Sequence, residues 1–308
     1  MAEKRPHRGV GAAVPAIGGP HDPVWQSNPV KEKLSQGNVV VAGTITNGCV
    51  DSAVVMASAF DALWIEGEHS AVTLESTRNI ILATRGMRAV PLVRVPWQEA
   101  WMAKRVMDVG SLGVIFPFCS TVERAKQASR ACRYPPLGCR GCGPTLAQLA
   151  WGLDESTYYT WSNENMLCIV IIEEGSAVDV VDEIAQIPHI DLLFIGTSDL
   201  SFSITGDKRN VQTPAVQAAI SKVLAAGLKN NVPVGCPAGS AEQIKRLVGQ
   251  GFRFFQAQPE IKFLQQAVTE FAASIDEAEL SEASGCGVPS SVPKRAKLNG
   301  TEVEQQVC

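Results

Sequence analysis

Short apolar runs alternate with amphipathic stretches from about residue 38 to residue 275. This alternation is typical of repeated strand–helix units. Eight of the runs are rich in β-branched or aromatic residues, as buried parallel strands are. They lie at 39–42, 62–65, 90–95, 112–116, 168–172, 192–195, 232–236 and 252–256. Eight such units predict an α/β fold, a closed (β/α)8 TIM barrel, rather than an open doubly wound sheet.

Composition changes at both ends of this alternation. Residues 1–36 carry Gly, Pro and charge without periodicity, which predicts a poorly ordered lead-in. Residues 276–308 shift to Ser, Gly, Glu and Lys, which predicts a disordered tail. Its basic stretch at 294–297 is either a nuclear-import or acidic-partner patch or an ordinary solvated segment. The barrel domain is therefore predicted at 37–275.

The amphipathic stretches have apolar faces that repeat every 3.6 residues, as helices do. One face consists of Val216, Ile220, Val223 and Leu224, and that of the last helix consists of Ile261, Leu264, Val268, Phe271 and Ile275. Both faces are predicted to pack as scaffold.

The rhythm of strand and helix breaks between residues 132 and 167. The segment 133–144 is too rich in Gly and Pro for a barrel strand, and Trp151, Tyr158 and Tyr159 follow it. Long excursions of this kind in a compact barrel commonly serve function, so a functional role is expected here.

Bulk composition excludes several classes of protein. Hydrophobic residues make up 45% of the chain, which is enough for a large core, and the net charge of -4 gives no general attraction to nucleic acid or anionic membrane. No apolar run has the length of a membrane span or resembles a signal segment, so a soluble, cytoplasmic protein is expected. The nine cysteines show no disulfide framework. Cys139 and Cys142 form one CxxC pair without the second pair that zinc requires, which favours reduced thiols.

Charged residues follow several of the predicted strands. Glu66, Glu68 and His69 follow the second, Arg94 ends the third, and Glu173, Glu174 and Asp199 follow later ones. In a barrel the carboxyl ends of all strands face one mouth, so these side chains are expected to converge. An imidazole, a guanidinium and several carboxylates in one mouth indicate a hard divalent cation with oxygen ligands, an anionic substrate and a base.

Each of these residues also has a purely structural interpretation. Asp199 and His69 are each placed to cap the following helix, and Arg94 is placed to pair with a surface acid. Glu174 is expected to be solvated rather than to bind a metal, because adjacent residues at a strand end point in opposite directions.

Six motifs taken together resemble a known family. They lie at 64–69, 91–97, 104–110, 134–141, 172–173 and 194–201. Their residues and order are similar to those of the HpcH/HpaI aldolase/citrate lyase family, the class II, metal-dependent 2-oxo-acid aldolases. The resemblance covers about residues 38–275 and implies a TIM barrel of the phosphoenolpyruvate/pyruvate-binding type. It also implies a hexamer in which neighbours exchange the last helix.

The resemblance implies a role for each matching residue. Glu173 and Asp199 are expected to ligate Mg2+, Mn2+ or Co2+, which chelates pyruvate. Arg94 is expected to stabilise the enolate oxygen and His69 to act as general base. Asp108 is expected to orient that histidine. Substrate binding is expected at Arg94, Gly196, Ser198 and Asp199.

Three positions depart from the family pattern. Glu66 stands where members generally carry Asp, and Ile171 replaces a glutamine that contacts substrate in many relatives. Residues 258–260 replace the usual Ser-Asp after the last strand. These departures leave the roles of Glu66, Glu68 and Ile171 open, and they bear on the substrate more than on the metal chemistry.

The resemblance leads to two enzymatic hypotheses, and a third hypothesis is not enzymatic. The first is a carbon–carbon lyase that cleaves or forms a hydroxylated 2-oxo acid through a metal-bound pyruvate enolate, with an aldehyde as the second small molecule. The second is an oxaloacetate decarboxylase, or an enzyme that traps the enolate with a non-aldehyde acceptor, as macrophomate synthase, a fungal relative, does. The third is a non-catalytic oligomeric scaffold. The first is preferred, with no nucleic-acid or membrane partner.

Overall fold

The computed structural model describes residues 26–275 as a closed barrel of eight parallel strands in sequence order. The predicted tail and its basic stretch at 294–297 lie outside the described residues. The strands are β1 (Val40–Ile45), β2 (Ala62–Glu66), β3 (Val90–Arg94), β4 (Gly113–Phe116), β5 (Leu167–Ile172), β6 (Leu192–Ile195), β7 (Val234–Pro237) and β8 (Phe254–Pro259). The predicted TIM barrel is confirmed, with each strand within three residues of its predicted bounds.

Helices surround this barrel. They are α1 (Pro29–Ser35), α2 (Val50–Ala59), α3 (Leu74–Ala83), α4 (Ala100–Asp108), α5 (Val122–Ala131), α6 (Thr145–Trp151), α7 (Glu155–Asn165), α8 (Gly175–Asp179), α9 (Val181–Ala185), α10 (Thr197–Thr205), α11 (Pro214–Lys229), α12 (Ala241–Gln250) and α13 (Glu260–Ala273). Within the described part of the chain, no helix has the length and apolar character needed to cross a membrane.

Three aromatic rings fill the barrel beneath its mouth. The ring of Trp64 lies 4.8 Å from that of Phe194 and 6.4 Å from that of Phe254, and all three side chains are buried. Gly235 makes room for them, because a Cβ there would lie 2.9 Å from the Cβ of Phe254. The floor of the mouth is therefore apolar and closed.

The described part of the predicted lead-in differs from expectation, since residues 29–35 form α1. Asn28 caps this helix by accepting hydrogen bonds from the backbone N–H groups of Val30 and Lys31. Its buried side chain also donates to the carbonyl oxygens of Leu112 and Asn165, at 3.1 Å and 3.0 Å. A helix of two turns shows little periodicity in sequence, so its cap and its tertiary contacts, rather than its pattern, define it.

Replacing Asn28 by alanine is expected to lower the free energy of unfolding by about 2 to 4 kcal/mol. The one change removes a helix cap, the side-chain donor to the carbonyl of Asn165 and one of two donors to the carbonyl of Leu112. Urea unfolding followed by circular dichroism measures this. Ser35→Ala, at an exposed position of the same helix, is the control and is expected to change stability by less than about 0.5 kcal/mol. Equal effects of the two changes would contradict the assigned role of Asn28.

The excursion between β4 and β5 lies at the end of the barrel opposite the mouth. α5 runs from the mouth to that end, and α6 and α7 follow before β5 begins. The buried Arg140 donates to Ser162 at 3.0 Å and lies over the ring of Tyr134 at 4.5 Å. Within the chain the described contacts of this segment are aromatic packing, a hydrogen bond and the ion pair of Arg140 with Asp108. The functional role expected for it stays a prediction.

The apolar face of the last helix is uncovered in the single chain. α11 buries Val216, Ile220 and Val223 as predicted. Four of the five predicted face residues lie on α13, and Ile275 follows its end. All five are exposed, with Phe271 reaching 71%. The prediction that this face packs as scaffold is therefore wrong for one chain, because α13 contacts its own barrel chiefly at its start, through Glu260 and Phe263.

Candidate active site

Two carboxylates fix the guanidinium of Arg94 at the barrel mouth. β2 and β3 pair in a register that sets Glu66 beside Arg94. The Nε of Arg94 donates to Glu66 Oε2 at 2.6 Å, and its Nη1 lies 3.0 Å from Glu68 Oε2. The guanidinium also lies over the ring of Trp64, at 5.8 Å from its centroid. Arg94 is therefore held in one orientation and is not a surface ion pair.

Glu66 organises the loop that follows β2. Its Oε2 accepts from the indole N–H of Trp64 at 3.0 Å, and its Oε1 accepts from the backbone N–H groups of Glu68 and His69 at 2.8 Å and 3.0 Å. The side chain is buried, and protein donors engage both of its oxygens. Glu66 is thus a structural anchor for Arg94 and His69.

Glu68 lies between the two residues predicted to act on the substrate. Its Oε1 is 3.5 Å from the Nε2 of His69, and its Oε2 faces Arg94. Burial raises the pKa of Glu68, while the charges of Arg94 and His69 oppose that shift. The side chain of His69 is 68% exposed, so it lies at the open surface of the mouth.

Glu173 is buried immediately after β5. Its Oε1 accepts from the backbone N–H of Phe118 at 2.6 Å. The pKa of Glu173 is raised to about 7, chiefly by burial and also by the charges of Asp199 and Glu68; the N–H of Phe118 and the charge of Arg94 oppose this rise. The carboxyl group is thus short of positive charge, as a cation ligand is before its ion binds.

β6 ends beside Glu173 and leads into α10. A Cβ at Gly196 would lie 2.8 Å from Glu173 Oε2 and 3.1 Å from Ile171 Cγ2, so glycine is required for this close approach. Asp199 lies exposed in the first turn of α10 but does not cap it, because Gly196 is the N-cap residue. The first backbone N–H groups of α10, including that of Ser198, therefore face outward as a helix terminus suited to an anion.

The donor set at the mouth fits a hard divalent cation. Glu68, Glu173 and Asp199 supply carboxylates there, and the carboxylate of Glu66, although engaged by protein donors, adds a further negative charge near the guanidinium of Arg94. Within residues 26–275, no group of three His, Cys, Asp or Glu side chains is placed to hold a metal by itself. Two carboxylates, with the remaining positions left to water and substrate oxygens, are the usual protein contribution to a Mg2+ site.

Asp108 does not reach His69 within one chain. It is the last residue of α4, which runs from the mouth to the opposite end of the barrel over about 12 Å. Its carboxylate pairs there with Arg140 at 2.9 Å. The direction of α4 was already implicit in the strand–helix order, so the separation was foreseeable from sequence. The pairing of Asp108 with His69 stays a prediction.

Sequence reasoning missed two contributors to the site. Phe118, in the loop after β4, supplies the backbone donor to Glu173. Trp64 supplies both a donor to Glu66 and the ring beneath Arg94. A backbone N–H leaves no signature in a residue pattern, whereas a tryptophan two positions before a strand-end carboxylate lies on the same face and was detectable.

Comparison with known proteins identifies similar sequences and folds. Residues 50–267 match the HpcH/HpaI aldolase/citrate lyase family. The chain is 34% identical over 207 residues to 2-keto-3-deoxy-L-rhamnonate aldolase of Escherichia coli strain K12, covering 65% of this chain and 77% of the relative. It is 31% identical over 225 residues to 5-keto-4-deoxy-D-glucarate aldolase of Enterobacter sp. strain 638, covering 73% and 87%.

Solved structures show the same architecture. A family protein from Burkholderia cenocepacia J2315 superimposes with a TM-score of 0.74 at 29% identity, covering 80% of this chain and 98% of that one. Macrophomate synthase superimposes with a TM-score of 0.71 at 22% identity, covering 88% and 96%, which is a likeness of fold.

Proposed function

The chain belongs to the HpcH/HpaI aldolase/citrate lyase family, and from this premise we propose that it is a divalent-metal-dependent lyase that cleaves or forms a hydroxylated 2-oxo acid. The observation that carries the proposal is the buried carboxylate of Glu173, which is under the electrostatic influence of Asp199 and of the fixed guanidinium of Arg94. Glu173 and Asp199 would hold the divalent cation, which would supply positive charge to the enolate that develops from the substrate.

The protein residues have separate tasks in the cleavage direction. His69 takes the proton of the C4 hydroxyl, the electron pair of that O–H bond forms the aldehyde C=O, and the C3–C4 bond breaks. The electrons of that bond pass to the keto oxygen, where the guanidinium of Arg94 stabilises the enolate more than the substrate. Glu68, 3.5 Å from His69, stabilises the imidazolium that results.

We assign the substrate to the hydroxylated sugar-acid class. The two curated relatives act, by their names, on a keto-deoxy rhamnonate and a keto-deoxy glucarate. The N-terminal N–H groups of α10, among them that of Ser198, are suited to the substrate carboxylate. Ile171 and the aromatic floor offer no hydrogen bond from below, so recognition of the aldehyde part falls to the rim of the mouth.

The test of this function is pyruvate release from a panel of 4-hydroxy-2-oxo acids, with and without EDTA, and with Mg2+, Mn2+ or Co2+ restored. EDTA is expected to abolish release and one of the metals to restore it. EDTA-insensitive release would refute the metal dependence. Faster turnover of oxaloacetate than of every hydroxy acid would instead favour a decarboxylase, and absence of any turnover would favour a scaffold.

The affinity for the metal is expected to fall as the pH is lowered, because Glu173 becomes protonated. Its pKa is raised to about 7, so the group is largely neutral at pH 6, where an ordinary glutamate is ionised. A metal requires the carboxylate, and the affinity for Mn2+ is expected to drop roughly tenfold between pH 8 and pH 6. Titration followed by electron paramagnetic resonance measures it. An affinity independent of pH over this range would contradict the assignment.

We also propose that the protein acts as a homo-oligomer, a hexamer or trimer of dimers, in the cytoplasm. The uncovered apolar face of α13, which includes Leu264 and Phe271, supports assembly, because exposed patches of this kind mark interfaces. If Asp108 serves His69 as the family resemblance implies, a second copy must bring it to the mouth, since α4 carries it to the other end in its own chain.

Placing glutamates at Leu264 and Phe271 is expected to convert the oligomer into smaller species, because buried unpaired charges oppose association. Sedimentation velocity measures the change. Gln265→Glu puts the same charge on an exposed polar position of α13 and is expected to leave the oligomer intact. A wild-type protein that sediments as a monomer would contradict the proposed assembly.

A further inference from the structure

Phe118 has an unusual backbone conformation at the edge of the mouth. It lies two residues after β4, and its φ of 51° falls in the left-handed region. For a bulky residue this region is unfavourable, because its Cβ crowds the following carbonyl. Such a conformation persists only where the surroundings impose it, and it is concentrated at functional sites.

Contacts on both sides of the residue impose that conformation. The ring of Phe118 packs against the ring of Trp97, with centroids 5.4 Å apart. Its carbonyl oxygen accepts from the side-chain amide of Gln98, from the backbone N–H of Ser120 at 2.7 Å, and from Arg124 at 3.5 Å. The side chain and the carbonyl are thus both anchored, which fixes the direction of the N–H.

That N–H points at one oxygen of Glu173. The distance from Phe118 N to Glu173 Oε1 is 2.6 Å, within the range of a strong charge-assisted hydrogen bond. The other oxygen, Oε2, lies against the bare backbone of Gly196, where a Cβ would be 2.8 Å away. One oxygen is therefore engaged, and within the described residues the other has no hydrogen-bond donor.

We propose that Phe118 is a positioning residue whose left-handed backbone, held by Trp97, aims its N–H at Oε1 of Glu173 and thereby presents Oε2 as a single-oxygen metal ligand. This inference rests on the proposed function, since it takes Glu173 as a ligand. With Oε1 engaged, the carboxylate cannot rotate to offer both oxygens to the cation. The aromatic pair is thus a support for the metal site rather than packing alone.

Two substitutions of the same residue separate a backbone role from a packing role. Phe118→Ala and Phe118→Gly both remove the ring, but glycine enters the left-handed region freely whereas alanine does not. The dissociation constant of Mn2+, measured by electron paramagnetic resonance without substrate, is expected to rise roughly tenfold in Phe118→Ala and much less in Phe118→Gly.

Variants of the supporting tryptophan complete the test. Trp97→Ala is expected to weaken Mn2+ binding severalfold, and Trp97→Phe, which keeps an aromatic partner, to restore it. Trp97 is 42% exposed, so these changes leave the core intact. Trp101→Ala is the matched control, because Trp101 is exposed on α4. It lines a cavity of about 200 Å3 between α3 and α4, whose lining includes Arg94 but neither Phe118 nor Glu173. The Trp101→Ala variant is expected to bind Mn2+ as the wild type does.

The outcomes distinguish this inference from the proposed function. If the wild type binds Mn2+ and Glu173→Gln does not, but Phe118→Ala and Phe118→Gly are affected equally or not at all, the positioning role is overturned and the metal site stands. If Glu173→Gln binds Mn2+ as tightly as the wild type, the metal site itself is refuted. Thermal melts of each variant verify that the barrel is folded.

Discussion

Replacing Arg94 by alanine is expected to lower kcat for cleavage roughly 10²–10³-fold, the usual cost of removing one donor to a developing oxyanion. In the proposed reaction the guanidinium faces a keto oxygen that becomes negative only as the C3–C4 bond breaks. Its contribution therefore appears in kcat, and KM is expected to change much less. Steady-state assays measure both kcat and KM. They are run at saturating metal, because removing the guanidinium of Arg94 also alters the charge around Glu173.

Arg94→Lys is the matched control, because it keeps the positive charge but removes the planar guanidinium. Arg94 contacts Glu66 through Nε and Glu68 through Nη1, and a single ammonium group cannot serve both carboxylates in those directions. Its kcat is expected to fall about tenfold, between the wild type and Arg94→Ala. If Arg94→Ala cleaves as fast as the wild type while melting at the same temperature, Arg94 is not the enolate clamp.

The barrel followed from the sequence because its signal is distributed over the whole chain. Eight apolar runs with intervening amphipathic stretches leave few topologies, and the chain uses the simplest one, with each strand beside the next. Single elements that are not part of a repeat were harder to predict from the sequence. α1 depends on Asn28 and its contacts with Leu112 and Asn165, which are far apart in sequence.

The site was predictable to the extent that strand ends converge. Arg94, Glu68 and Glu173 do interact at the mouth, as the strand-end argument required. The role of Glu66 was not predictable, because it depends on three donors, one of them the indole of Trp64. Nor was the donor to Glu173, since the backbone conformation of Phe118 is set by tertiary contacts rather than by its residue type.

A motif match assigns roles to residues, whereas the fold determines how far apart those residues lie. The family resemblance assigns Asp108 to His69, yet α4 separates them along the barrel axis. Likewise the period of α13 predicted an apolar face, but periodicity does not specify which molecule covers it. The covering of α13 is the part that the sequence of one chain does not specify, and the assembly proposed above would account for both observations.

Replacing Glu173 by glutamine is expected to abolish Mn2+ binding and to lower pyruvate formation roughly a thousandfold, because several kcal/mol of charge stabilisation depend on the cation. The change is nearly isosteric, and the amide oxygen still accepts from the N–H of Phe118, so the fold is expected to persist. Asp199→Asn is expected to behave in the same way. Glu174→Gln, at the position next to Glu173, is the control, because the carboxylate of Glu174 accepts a hydrogen bond from Ser120 instead.

Formation of the enolate from pyruvate alone gives the most direct measurement of the effect of Glu173→Gln. Pyruvate in D2O exchanges its methyl protons only if the enolate forms, so proton magnetic resonance reports the metal site without any aldehyde. Exchange is expected with the wild type and Glu174→Gln and is expected to be lost in Glu173→Gln. Exchange that survives in Glu173→Gln and is insensitive to EDTA would mean that the enolate forms without the metal. Arg94, which Glu66 and Glu68 fix at the mouth, would then have to stabilise the enolate oxygen alone.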